Sequence, residues 1–67
     1  MSNNQDEILE IIELQINSAI ENDAPVHIKS TAAFLGRIFP RSGMSEDELS
    51  RLVARIGTQR RVMMEFA

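Results

Sequence analysis

Cysteine is missing from this 67-residue chain, so no disulfide framework, thiolate metal site or cysteine nucleophile exists. Histidine occurs once, at His27. A histidine metal cage needs more, and a serine–histidine triad would have no second base. Tryptophan and tyrosine are absent and phenylalanine appears three times, leaving few aromatic platforms for stacking on bases. No apolar run reaches the roughly 18 residues needed to span a bilayer. The polar opening Met1-Ser2-Asn3-Asn4-Gln5-Asp6 lacks the charge and hydrophobicity of a secretory signal. These absences lead us to expect a cytoplasmic protein without cofactor or metal. What is present is ordinary for a globular domain: 43% hydrophobic and 25% charged residues. A single domain over 1–67, with 1–5 as a disordered N-terminus, accounts for the length.

Charge is unevenly spread. Residues 1–28 carry Asp6, Glu7, Glu10, Glu13, Glu21 and Asp23 with no lysine or arginine. All seven basic residues lie beyond: Lys29, Arg37, Arg41, Arg51, Arg55, Arg60 and Arg61. Such a division lets one half of a chain attract the other, or presents a basic face to a polyanion.

Hydrophobic spacing predicts an all-α fold, a small bundle of three helices with a further C-terminal helical segment. The first helix spans roughly 6–22. Its apolar residues Ile8, Leu9, Ile11, Ile12, Leu14, Ile16, Ala19 and Ile20 recur at helical spacing. Asn3, Asn4 or Asp6 is placed to cap it, and Asn22-Asp23-Ala24-Pro25 stops it. Leu9, Ile12, Ile16 and Ala19 form a seam for one partner helix, while Ile11 and Leu14 lie on a flank that needs a second neighbour. Small domains without disulfides or metals often complete their cores by oligomerising. We therefore expect a homodimer whose interface includes Leu9, Ile11, Ile12, Leu14, Ile16 and Ala19.

Val26-His27-Ile28-Lys29 reads as extended. Ser30 or Thr31 then caps a second helix over 30–39, with Phe34 and Phe39 as core anchors; Pro40 ends it. Ser45-Glu46-Asp47-Glu48 is a capping box opening a third helix over 45–56. Glycine costs about 1 kcal/mol relative to alanine inside a helix. An unbroken helix would also place Arg60 in the apolar stripe, so a break or bend near Gly57 is expected, with a short helical segment running on to about 66.

Few residues here are arranged for chemistry. Glu46, Asp47 and Glu48 point about 100° apart on a helix and cannot converge on one atom; capping and the helix dipole already explain them. His27 has no activating partner nearby in sequence. The serines and threonines sit at caps and turns, and no phosphate-cradling glycine loop occurs. A non-enzyme is expected.

Thr31-Ala32-Ala33-Phe34-Leu35-Gly36 resembles the first half of a helix-turn-helix. The pattern departs from it at Arg37, and Pro40-Arg41-Ser42-Gly43-Met44 exceeds the usual three-to-four-residue turn. The following helix would also present Glu46, Asp47 and Glu48 to phosphates. No function is carried over from this resemblance. A separate basic surface, Arg51, Arg55, Arg60 and Arg61, suits either a partner protein's acidic face or nucleic-acid phosphates. Met63 and Phe66 either close the core or dock a partner. The expected function is a non-catalytic protein–protein interaction or regulatory module, homodimeric and binding another protein. The alternative is a DNA- or RNA-associated regulator gripping phosphates through the four arginines.

Overall fold

A computed structural model describes residues 4–66, and the chain is mostly helical. Helix α1 spans Asn4–Glu21, α2 spans Ile28–Ile38 and α3 spans Glu46–Gln59. Two short strands, β1 at Val26–His27 and β2 at Met64–Glu65, pair in parallel with Val26 opposite Met64 and His27 opposite Glu65. The radius of gyration is 11.3 Å, close to the about 11 Å expected for a compact chain of this length.

The core is aliphatic. Ile8, Ile12, Ile16 and Ala19 enter it from α1, Val26 from β1, Ile28, Ala32 and Leu35 from α2, and Leu49 and Val53 from α3. On α1 the buried stripe starts at Ile8 and steps by four to Ile16, so Leu9 is rotated out toward solvent. Ile12, Ile16 and Ala19 are already buried within the chain itself. This corrects their assignment to a subunit interface: the expected seam is filled by the chain's own α2, α3 and β1. The phenylalanines are not its anchors either. Phe34 is exposed, and Phe39 is half-buried against the outside of the core.

The expected break at Gly57 and the helical segment beyond it do not occur. Helix α3 runs through Gly57 and ends two residues later. Gly57 is buried, and a Cβ there would lie 2.5 Å from the Met64 sulfur and 3.4 Å from Val62 Cγ1. Glycine makes room for the returning chain. The Val62 N–H donates to the Gly57 carbonyl and the Arg61 N–H to the Thr58 carbonyl, each at 3.1 Å. With Arg61 at φ 56°, this is a Schellman termination in which a non-glycine residue takes the left-handed position.

Helix α1 ends the same way. The Ala24 N–H donates to the Ala19 carbonyl at 2.9 Å and the Asp23 N–H to the Ile20 carbonyl at 3.2 Å, with Asp23 at φ 52°. Ala19 matches Gly57, Asp23 matches Arg61 and Val26 matches Met64, so one offset relates both helix ends and the strand register. Each helix turns through a small residue and a left-handed residue into a strand, and the two strands pair. The structural duplication has no counterpart in residue identity.

Two other boundaries move. Helix α2 starts at Ile28 directly after β1, with His27 at its N-cap position making no side-chain cap bond. Thr31 is therefore buried inside the helix instead of capping it. Residues Asn4 and Gln5 belong to α1; residues 1–3, and with them the expected Asn3 cap and most of the disordered N-terminus, lie outside the described residues. Asp6 sits within the first turn of α1, where it suits the dipole but is not the cap. The capping box at Ser45 is present in both directions. The Glu48 amide donates to Ser45 Oγ at 3.1 Å, and the Ser45 amide donates to Glu48 Oε1 at 2.9 Å.

Candidate functional site

Helix α2 packs chiefly on α3, while α1 joins the pair through α3 and β1. At the junction of α1, β1 and α2 lies an open cleft of about 350 Å³, lined by Gln15 and Ser18 of α1, by Asn22 just beyond it, by His27, and by Ser30, Thr31 and Phe34 of α2. Ile11 lies one turn before Gln15 on the same side of α1, and Ile38 one turn beyond Phe34 on α2. Phe34 is 39% exposed, Ile38 45% and Leu14 61%. Ile11 is half-buried against the core. Ile11, Phe34 and Ile38 thus give both helices an apolar strip beside the polar cleft, and Leu14 stands further round α1, in a crevice with Leu9, Glu10, Glu13 and Asn17.

The cleft's chemistry is limited. His27 is exposed on β1, and among the described residues its side chain makes no hydrogen bond. Asn22 Nδ2 donates to the Ser18 carbonyl at 2.8 Å, which holds the end of α1 in shape. Among the described residues no nucleophile–base hydrogen bond is formed there. Among the described residues, no three histidine, aspartate or glutamate side chains converge as a metal site. No helix among them is long and apolar enough to cross a membrane.

The four arginines have different surroundings. Arg60 reaches across the surface to α1, where its Nη1 lies 3.3 Å from Glu13 Oε1 and its Nη2 donates to Asn17 Oδ1 at 2.7 Å. The basic half of the chain meets the acidic half at this point. Arg51 stands 4.0 Å from Asp47 on the outer face of α3, and Arg55 is exposed one turn further on. Arg61 is held in the left-handed turn. Arg51 and Arg55 share the outer face of α3, and Arg60 and Arg61 lie just beyond its end. The neighbouring Glu48 carboxyl lies below its ordinary value of 4.5, chiefly because it accepts the Ser45 backbone amide, then through the Ser45 hydroxyl and the charge of Arg51.

At the C-terminus, Met63 is 63% and Phe66 65% exposed, so neither closes the core. Val62 and Met64 do that work, the latter against Gly57. Met63 and Ile20 line a small crevice with the two left-handed residues Asp23 and Arg61. Leu9 lines another with Gln5, Ile8, Met44 and Leu52.

Of the residues singled out from sequence, Ile11 and Leu14 remain on the uncovered flank. Phe34, expected as a core anchor, and Ile38 are exposed instead. Their direction was nevertheless legible. On a wheel centred on Leu35 they fall about 60–100° to one side, away from Ala32 and Gly36. No family model matches the chain, and no curated protein or solved structure is significantly similar to it.

Proposed function

We propose that the chain is a non-catalytic interaction module, regulatory in character, that acts as a homodimer in the cytoplasm. The observation that carries this is the exposed apolar surface of α1 and α2, at Leu14, Phe34 and Ile38. Contiguous exposed apolar surface on a small domain marks a contact site, because leaving it in water forgoes about 25 cal/mol per Å². The occupant that suits it is a second copy of the chain. Among the described residues the core holds ten buried hydrophobic ones, and domains of this size commonly gain stability by association. The pairing of Arg60 with Glu13 weakens the case for a phosphate-gripping face, and the acids at the start of α3 oppose it further.

The test is thermal unfolding across a hundredfold range of protein concentration, alongside a gel shift against random duplex at low salt. A dimer couples association to folding, so the midpoint rises with concentration, and the duplex is not shifted. A midpoint independent of concentration overturns the homodimer. A salt-sensitive shift transfers the function to nucleic acid.

A further inference from the structure

We infer that the dimer is two-fold symmetric and crossed, with α1 of each copy lying along α2 of the other. This rests on the homodimer proposed above and specifies its contact. The basis is a complete separation of charge between the two helices that border the apolar strip. Helix α1 contains Asp6, Glu7, Glu10, Glu13 and Glu21 and no basic residue; α2 contains Lys29 and Arg37 and no acidic one.

On α1, Glu7, Ile11, Leu14 and Ser18 follow at steps of four, three and four along one flank. On α2, Phe34, Arg37 and Ile38 occupy the corresponding side. Apolar residues therefore fill the middle of both flanks, with acid on the rim of one and base on the rim of the other. Glu13 is engaged by Arg60 toward α3. Among the described residues, neither Glu7 nor Glu10 nor Arg37 takes part in an ion pair within the chain.

Three ways of pairing the strip with its copy follow from this separation. Setting α1 against α1 brings acids onto acids, and α2 against α2 brings Arg37 onto its own copy, Lys29 lying on the opposite side of α2 from Ile38. Only α1 against α2 places opposite charges together. A two-fold axis repeats that contact, since residues touching in one direction touch again in the other. Apolar residues supply the adhesion, and the rims select the orientation and exclude the like-charged alternatives.

The full-length chain tests this by sedimentation equilibrium with two complementary variants. One carries Glu7→Lys with Glu10→Lys; the other carries Arg37→Glu. All three positions are exposed, and circular dichroism checks that helicity is kept. Each variant alone is expected to dimerise roughly tenfold more weakly than the wild type. Mixed in equal amounts, they are expected to regain wild-type association, because both crossed contacts then join opposite charges.

The outcomes separate cleanly. If the wild type dimerises but Arg37→Glu does so equally well, or the mixture stays dissociated, the crossed arrangement is wrong and the homodimer stands. If the wild type is monomeric throughout, the homodimer itself fails, and the crossed contact with it. Should a charge variant lose its helicity, Phe34→Gln removes the central apolar contact without altering charge. It must also weaken the dimer about tenfold, or the strip is not the interface.

Discussion

Two residues in this fold hold a backbone conformation that their side chains disfavour. Left-handed geometry costs a typical L-residue about 1–2 kcal/mol, and aspartate tolerates it better than arginine. Asp23 and Arg61 occupy equivalent positions at the ends of α1 and α3. Arg61→Gly is therefore expected to raise stability by about 0.5–1 kcal/mol, less the added chain entropy of glycine. Asp23→Gly should gain less, and urea unfolding of the two variants reads the difference. At Gly57 the reverse holds. Alanine ordinarily improves a helix interior by about 1 kcal/mol over glycine, but here its methyl would displace the Met64 side chain. Gly57→Ala is expected to give no such gain in the wild-type background and to recover it when Met64 is also alanine. A double-mutant cycle measures that coupling. Equal effects in both backgrounds would mean that Met64 does not press on Gly57.

Helix boundaries reflect how far away their causes lie. The start of α3 is set within four residues by Ser45 and Glu48, and it was legible from sequence for that reason. Ser45→Ala should cost about 0.5–2 kcal/mol. The Glu48 carboxyl is lowered by accepting hydrogen bonds that form only in the folded chain. Its contribution is complete above the ordinary value of 4.5 and is lost as pH falls through the lowered one. Thermal melts of Glu48→Gln and wild type should thus differ near neutrality and converge in acid. A difference that does not change with pH would assign the cap to Ser45 alone. Where causes are remote, local reading failed. Helix α2 begins at Ile28 because β1 delivers the chain there, and β1 exists because Met64 returns beside Val26. Val62 and Met64 look like the continuation of a helix until that pairing is known. Arg60 falls in the apolar stripe of an extended α3, and its reach to Glu13 and Asn17 on α1 explains the position.

At the scale of the molecule, α1 serves two surfaces that its apolar pattern does not distinguish. Ile12 and Ile16 are enclosed by the chain itself, whereas Leu14 is not. A wide apolar arc announces excess hydrophobic surface but leaves open which part the monomer covers. That choice depends on where α2 and α3 lie. Ile12→Asp would bury an unpaired carboxylate in the core and should abolish cooperative unfolding. Leu14→Gln should leave the fold intact and weaken association. Finding Ile12→Asp folded and merely monomeric would return Ile12 to the interface. The most direct measurement is the mass of the native chain by light scattering from micromolar to near-millimolar concentration. The account predicts passage to twice the 7.6 kDa of one chain. A folded protein holding the mass of a single chain throughout would contradict it.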